Sequence, residues 1–387
     1  MLHRALPALL VTVALTATAC SQGGNESVVE ITGSASAAGE SATPSESSSS
    51  SPSGTGTTAA VSPTPQVVAT AATGLDVPWG LDFLPDGRAI VTERDTAKVL
   101  LVSPPVDGQP GDVVEAGTVP KVVPTAEAGL LGVAVSPHFA KDRTVFFYTC
   151  TAKENQVVKA TLRNDELGKV EPVLTGIPNG EIHDGGRIAF GPDGDLYVTT
   201  GETGDEKLAR DRDNYAGKIL RITPEGKKVA GNPFDTVVYS WGHRNMEGIA
   251  WDDSGNLWAS EFGKDTADEL NLIQPGLDYG WPVVEGMSHQ RGYTNPQLTW
   301  PPDDASPSGL AFDGGYLWMA ALQGERLYRI TVQGKKATDP EGFFEGDYGR
   351  IRTVVTAPDG NLWMTTSNTD GRGDPGPDDD QILVVEP

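Results

Sequence analysis

One pattern of apolar and polar positions recurs six times along the chain. An apolar segment is followed by a turn built on Asp or Gly, and the turn by a short strand of apolar residues. Each turn and its following strand lie at 84–87 and 89–93, 137–142 and 145–148, 191–194 and 196–199, 252–255 and 257–260, 313–315 and 317–320, and 357–360 and 362–365. The copies are spaced by about 50 to 60 residues, which suits four-stranded blades.

The turn residues indicate that each copy is a β-hairpin. In Leu84-Pro85-Asp86-Gly87, proline presets φ, aspartate bonds its own backbone, and glycine accepts a positive φ. The apolar residues before each turn predict an inner strand packed between neighbouring sheets, and no long helical period competes. We therefore predict an all-β fold, a six-bladed β-propeller. Ligands of such folds sit at one mouth of the central channel, on the loops that cap the blades.

The first 65 residues follow a different pattern. Residues 1–20 have a weakly basic start and an apolar run too short to span a bilayer, which predicts an export signal. The small residues Ala17-Thr18-Ala19 before Cys20 resemble a bacterial lipobox, in which the cysteine is lipidated; a plain secretory signal is the alternative. Residues 21–65 are rich in Ser, Thr, Gly and Pro and predict a disordered tether. The propeller is expected over 66–387, exported and lipid-anchored to the outer face of the cell membrane.

The net charge and the cysteine content exclude some classes of binding partner and of site. The formal net charge of −24 over 387 residues repels nucleic acid and anionic lipid surfaces, so membrane contact is expected only through Cys20. The chain has two cysteines, and lipidation of Cys20 would leave Cys150 without a partner. Cys150 ends an apolar run and is expected to be a buried thiol without a function of its own.

Seven segments appear in an order typical of one enzyme family. They are 77–83, 127–132, Ile182-His183-Asp184-Gly185-Gly186-Arg187, 216–221, Gly242-His243-Arg244-Asn245, 268–271 with Asp278-Tyr279-Gly280-Trp281-Pro282, and Arg350-Ile351-Arg352. Together they resemble the glucose/sorbosone dehydrogenases that use pyrroloquinoline quinone (PQQ), from about residue 75 to the C-terminus. The resemblance implies a sugar dehydrogenase that oxidises the anomeric hydroxyl of an aldose to a lactone and passes electrons to an external acceptor.

The same resemblance assigns the reacting groups. His183 matches the family's general base, which takes the hydroxyl proton while the sugar carbon gives a hydride to the quinone. Histidine suits this task because the neutral imidazole accepts a proton near physiological pH. The other interpretation of a single loop histidine is a turn cap beside Gly185 and Gly186. Arg244 is implied to act beside it, through contact with the quinone oxygens.

PQQ carries three carboxylates, and a guanidinium binds carboxylate in a fork and stays charged. The resemblance implies a cofactor-binding set of Glu127, Arg244, Asn245, Trp300, Gln323, Arg350 and Arg352. For any single arginine the alternative is a surface ion pair. For Trp300 the alternatives are stacking on the cofactor and ordinary packing between blades.

Calcium is the second cofactor that the resemblance implies. The cofactor-calcium loop corresponds to Glu261, Gly263 and Lys264, the latter two through backbone oxygens, and a structural calcium matches Asp268, Glu269 and Tyr279. Four positions depart from the soluble glucose dehydrogenases: Glu127 replaces glutamine, Ile182 an acid, Lys264 a proline, and Gln323 lies near a lysine position. Met246-Glu247 likewise replaces Pro-Gln.

These departures leave three functions open. The first is the PQQ-dependent aldose dehydrogenase. The second is a cofactor-free propeller that binds carbohydrate or protein at the cell surface, and the third is a calcium-dependent lactonase. His183, Arg244 and the Arg350/Arg352 pair favour the dehydrogenase, because neither alternative requires three arginines around a histidine.

Overall fold

The computed structural model describes residues 63–387, which form six antiparallel β-sheets arranged as a propeller. Blade 1 contains β2 (Pro78–Phe83), β3 (Ala89–Glu93), β4 (Lys98–Val102) and β5 (Val113–Thr118). Blade 2 contains β6 (Leu130–Val135), β7 (Thr144–Cys150), β8 (Asn155–Arg163) and β10 (Glu171–Ile177), with the short β9 (Glu166–Leu167) on β8. Blade 3 contains β11 (Ile188–Phe190), β12 (Leu196–Thr199), β13 (Lys218–Ile222) and β14 (Val238–Trp241).

The remaining blades follow the same order. Blade 4 contains β15 (Asn245–Trp251), β16 (Leu257–Phe262), β17 (Asp268–Ile273) and β18 (Leu298–Trp300). Blade 5 contains β19 (Pro307–Asp313), β20 (Tyr316–Ala321), β21 (Arg326–Gln333) and β22 (Lys336–Phe343). Blade 6 contains β23 (Ile351–Thr356), β24 (Leu362–Thr366), β25 (Ile382–Glu386) and β1 (Gln66–Ala72). The helical elements are α1 (Phe139–Asp142), α2 (Glu206–Arg210) and a 3₁₀ turn (Pro233–Asp235).

The six predicted hairpins are confirmed. Each joins the first and second strands of a blade: β2–β3, β6–β7, β11–β12, β15–β16, β19–β20 and β23–β24. In the first, Gly87 has φ of 89° and donates its N–H to the Leu84 carbonyl at 2.9 Å, as the Pro-Asp-Gly sequence predicts. In the second, α1 occupies the turn.

The ring is closed by strands from distant parts of the chain. β1 pairs antiparallel with β25, from Gln66 opposite Glu386 to Ala72 opposite Ile382. Blade 6 is therefore assembled from the first strand and the last three. The hydrophobic core lies between blades, where Trp79, Trp258 and Trp318 are fully buried and each removes a large aromatic area from water.

Two sequence predictions concern cysteine and the N-terminal segment. Cys150 ends β7 and is buried, as expected, and it forms no disulfide within the described residues. Burial raises the pKa of its thiol well above the ordinary value, which makes it a poor nucleophile. The predicted signal (1–20), Cys20 and nearly all of the tether (21–65) lie outside the described residues. Within 63–387, no helix has the length and apolar character needed to cross a membrane.

Candidate active site

A cavity of about 480 Å³ lies where the six inner strands begin, at one mouth of the axial channel. Every blade contributes to its lining. The predicted site residues that line it are Glu127, His183, Arg244, Asn245, Gly263, Lys264, Gln323, Arg350 and Arg352. Residues predicted from six separate segments thus meet in one place.

His183 is held by its backbone as well as by its ring. Its φ is 57°, in the left-handed region, which is uncommon for residues other than glycine. Its N–H donates to Glu127 Oε2 at 2.9 Å, and its carbonyl lies so close to Gly201 that a Cβ there would come within 1.8 Å of it. Glycine at 201 and the Glu127 carboxylate therefore fix the loop that carries His183.

The imidazole of His183 is paired with a buried carboxylate. Its Nδ1 hydrogen-bonds Glu202 Oε1, and the Glu202 side chain is 2% exposed. Since an ionised carboxylate only accepts, Nδ1 carries the hydrogen in the neutral ring and Nε2 holds the lone pair. Nε2 has no hydrogen-bond partner in the described chain, so the ring can accept a proton from a molecule in the cavity.

The cavity lining is positive although the protein is strongly acidic. Six cationic side chains line it, Arg94, Arg244, Lys264, Arg350, Arg352 and Arg372, against four carboxylates, Glu127, Asp184, Glu247 and Asp370. In a protein of net charge −24, this local excess of cations favours an anionic ligand.

The three predicted arginines differ in how they are paired. Arg350 and Arg352 share the Asp370 carboxylate, at 3.1 and 3.2 Å, and Arg352 also bonds Glu247 Oε2 at 3.0 Å. Arg244 forms no ion pair with any residue of 63–387, and its buried Nε has no hydrogen-bond partner there. Its Nη1 donates to the Phe262 carbonyl at 3.4 Å, and its guanidinium lies 5.4 Å from the Trp281 ring. A buried N–H without a partner is costly, so the Arg244 Nε is the group that a ligand carboxylate or quinone oxygen would satisfy best.

The carboxylates predicted to bind calcium lie in blade 4 beside the cavity. Glu261 Oε1 accepts the Arg244 N–H at 2.6 Å, and Oε2 is shared by His243 and Asn271. Asn271 also donates to Glu269 Oε2 at 2.9 Å. Burial, and then the nearby Glu261 charge, raises the pKa of Glu269 well above its ordinary value.

The other predicted calcium ligands are engaged within the protein. Asp268 accepts the N–H of Gly263 and of Ser306, at 2.7 and 2.6 Å, and burial raises its pKa to about 7. The Tyr279 hydroxyl donates to the Leu272 carbonyl at 2.7 Å. Lys264 Nζ pairs with Glu206 of α2 at 2.9 Å. Within 63–387 no group of three or more His, Cys, Asp and Glu side chains is arranged to hold a metal.

Residues 75–375 match the family model of glucose/sorbosone dehydrogenase. The chain belongs to this family. It is 31% identical to the aldose sugar dehydrogenase of Escherichia coli, over 77% of this chain and 89% of that protein. It is 34% identical to quinoprotein glucose dehydrogenase B of Acinetobacter calcoaceticus, over 57% of this chain and 53% of that protein.

A solved structure of similar fold carries the cofactor. The PQQ-bound aldose sugar dehydrogenase of Streptomyces coelicolor superposes with a TM-score of 0.81 and 50% sequence identity, covering 84% of this chain and 98% of that one. The six-bladed fold predicted from the repeats is thus confirmed. The family and these relatives identify the protein as an oxidoreductase of the sugar dehydrogenase class.

Trp300 is the one predicted cofactor-binding residue of this glucose/sorbosone dehydrogenase that does not line the cavity. It ends β18, pairs with Asp268, and is 7% exposed. Its ring lies 5.5 Å from that of Tyr328 in the core between blades 4 and 5. In this structure Trp300 therefore packs between blades, and its stacking on the cofactor stays a prediction from the resemblance.

The sequence prediction missed Glu202, which bonds the ring of His183. It also missed charged residues of the cavity lining, among them Glu247, Asp370 and Arg372, of which the last pairs with Glu127 at 2.7 Å. Glu202 follows β12 in Thr200-Gly201-Glu202, at the same mouth as His183, and that strand-end position could have indicated it. Asp370 and Arg372 lie in a loop of Gly and Asp residues whose path the sequence does not specify.

Proposed function

We propose that the protein is a PQQ-dependent aldose dehydrogenase that oxidises the anomeric hydroxyl of a sugar to a lactone, with His183 as general base. The observation that carries the proposal is one cavity lined both by Arg244, which has no ion pair within 63–387, and by His183, whose ring is held by Glu202. The quinoprotein and aldose dehydrogenase relatives support the same chemistry.

The residues present fit PQQ. Arg350, Arg352 and Arg244 would hold its carboxylates and quinone oxygens, because these guanidiniums line the cavity and fork onto oxyanions. Asn245 accepts the Gly185 N–H at 2.9 Å and is thereby oriented beside Arg244, and Gln323 adds a neutral amide to the wall. When bound, PQQ would supply the acceptor for the two electrons and the hydrogen that leave the sugar carbon.

His183 and Glu202 would move the hydroxyl proton. Nε2 of His183 takes the proton of the anomeric hydroxyl, and the imidazole becomes positively charged. Buried Glu202 stabilises that charge through Nδ1 and prevents the ring from turning. Arg244 stabilises the negative charge that develops on the sugar oxygen as the proton leaves. An external acceptor then removes the electrons from the protein.

We also propose that calcium completes the site. Glu261 with the backbone oxygens of Gly263 and Lys264 would serve a cofactor-associated ion, and Asp268, Glu269 and Tyr279 a structural one. Support comes from Glu261 and Glu269, two buried carboxylates joined by Asn271 with no cationic side chain paired to Glu269 in the described residues. A divalent cation beside either carboxylate would offset the repulsion between them, which together with burial raises the pKa of Glu269. Export and anchoring at Cys20 remain proposals from the sequence.

Reconstitution tests the proposed function. The protein is purified after growth without PQQ, treated with a chelator, and assayed with an aldose and a redox dye. We expect dye reduction only when PQQ and Ca²⁺ are both added, and retention of quinone absorbance after gel filtration. Full activity without quinone, with none detected by mass spectrometry, would overturn the proposal.

A further inference from the structure

One arginine crosses the axis of the propeller beneath the cavity. Arg187 precedes β11 of blade 3, yet its Nε donates to the Glu247 carbonyl of blade 4 at 2.6 Å and its Nη2 to Thr353 Oγ1 of blade 6 at 3.1 Å. Its guanidinium lies 4.3 Å from the ring of Trp79 in blade 1. A side chain can contact the inner strands of blades 1, 4 and 6 together only near the axis.

Arg187 lies between two cavities. Above it, Trp79 lines the site that contains His183 and Arg244. Below it, a cavity of about 490 Å³ opens where the inner strands end, and Arg187 lines that one. Its walls are mainly apolar, with Phe190, Trp251 and Phe312 among them. The guanidinium and the Trp79 ring therefore separate the candidate active site from the opposite mouth of the channel.

Each contact of Arg187 supports a group of the upper cavity. Trp79 forms part of its lining directly. The Glu247 carboxylate bonds Arg352 at 3.0 Å, and Arg187 holds the backbone of that glutamate. Thr353 follows Arg352 and donates to the Trp79 carbonyl at 2.6 Å. Arg187 thus fixes the aromatic floor, the backbone of Glu247, which is one of the residues that bond the Arg352 guanidinium, and the residue that follows Arg352 in the chain.

The residue type fits this role. Arg187 is 8% exposed and has no ion pair among the described residues, and burial lowers the pKa of its guanidinium to about 9. A planar guanidinium can stack on an indole and donate sideways in two directions at once. A lysine ammonium cannot do both, because its charge is compact and its donors are tetrahedral.

We propose that Arg187 is a positioning residue for the anionic cofactor: it sets the floor of the cavity and the direction of Arg352 without touching the ligand. This inference rests on the proposed PQQ function. It predicts that altering Arg187 weakens PQQ binding even in protein that folds normally, since small displacements of binding groups cost on the order of tenfold to a hundredfold.

The test compares Arg187→Met and Arg187→Lys with two controls. Arg221→Met alters another arginine of blade 3, one paired with Asp193 and Asp195 away from the cavity. Val238→Ala opens a void in the core of the same blade. It controls for any loss of thermal stability that the Arg187 variants show. PQQ affinity is measured in the presence of Ca²⁺ by absorbance titration, and the induced circular dichroism of bound PQQ reports its orientation.

We expect the PQQ Kd to rise about tenfold to a hundredfold in Arg187→Met, and less in Arg187→Lys, with an altered dichroism band. Both controls should keep the Kd of the original protein. If Arg187→Met does not fold, Arg187→Lys decides. A folded Arg187 variant with unchanged Kd and dichroism overturns the inference alone, whereas an original protein that binds no PQQ overturns the proposed function.

Discussion

Glu202 lies 19 residues after His183 and hydrogen-bonds Nδ1 of its imidazole. The carboxylate is buried, and its Oε2 has no partner in the described protein. The interaction leaves Nε2 as the ring atom that can accept a proton from the cavity. Since His183 would accept the proton and Glu202 would orient its ring, substitution of each residue tests its role separately.

His183→Gln should remove the chemical step while sparing the cofactor. Glutamine keeps a hydrogen-bonding shape but cannot accept a full proton at neutral pH, so kcat should fall by roughly 10² to 10⁴ with PQQ still bound. Glu202→Gln should lower kcat by at least about tenfold, through poorer orientation of the imidazole. Steady-state kinetics with parallel PQQ titration checks both. Lost quinone binding with normal turnover at saturating PQQ would make His183 a ligand-holding residue instead.

Arg350→Ala and Arg352→Ala should each weaken PQQ binding. Loss of one charge-assisted hydrogen bond costs about 1.5 to 3 kcal/mol, or roughly tenfold or more in affinity. Arg326→Ala is the matched control, because that arginine pairs with Glu345 on the surface of blade 5. Equilibrium titration with PQQ gives the three Kd values. Equal Kd values in all variants would show that the cavity arginines serve only Asp370 and Glu247.

Calcium should stabilise the protein through Glu261 and Glu269. We expect Ca²⁺ to raise the Tm and a chelator to lower it, because binding to the folded state alone shifts the unfolding equilibrium. Glu269→Gln should reduce the shift, whereas Glu115→Gln, on the exposed part of β5, should leave it intact. Differential scanning calorimetry with and without Ca²⁺ measures it. If Ca²⁺ leaves the Tm of the original protein unchanged, the calcium assignment is wrong.

Asp184 should make stability depend on pH. Burial raises its pKa to about 6, so the folded state binds its proton more tightly than the unfolded chain does. The protonated Asp184 carboxyl therefore contributes to the stability of the folded state. That contribution is complete below about pH 4 and is lost as the pH rises through 6.

Asp184→Asn should therefore gain stability relative to the original protein between pH 4 and 7, by at most about 3 kcal/mol. An amide oxygen can still accept from Asn155 and Gly180, which both bond Oδ1 now. Urea unfolding across that range measures the difference, with exposed Asp112→Asn as control. A constant difference at all pH values would show that Asp184 is not the titrating group.

Cys20→Ala should move the protein from the membrane fraction to the medium without changing its specific activity, because no site residue lies in the tether. Fractionation of cells followed by immunoblotting measures the distribution. Equal membrane association of the variant would contradict the lipid anchor.

The propeller could be predicted because its signals are local. A turn such as Pro85-Asp86-Gly87 acts within four residues, and six copies specify six hairpins. The closing strand Gln66–Ala72 could not be identified in this way, since its partner is Ile382–Glu386 and no turn phrase joins them. A pairing across more than three hundred residues leaves no short-range pattern.

The site was predictable where a residue lies within a distinctive segment. His183 and Arg244 belong to such segments, and the structure brings them together. Asp370 does not, because its position depends on the path of a loop and on the two arginines it neutralises. Trp300 is a different case: the sequence left stacking on the cofactor and packing between blades open, and its place on the last strand of blade 4 packs it in the core.

The pairing of β1 with β25 also has a consequence for biosynthesis. Under the proposed export, the chain would cross the membrane from its N-terminus and deliver Gln66–Ala72 first and Ile382–Glu386 last. Blade 6 would then lack its inner three strands until translocation is nearly finished. Until then the backbone N–H and C=O groups of β1 have no partner strand, and unpaired strand edges associate with other chains. We expect the nascent protein to depend on chaperones outside the membrane until the last strand docks, and deletion of residues 382–386 to yield an open, aggregation-prone ring.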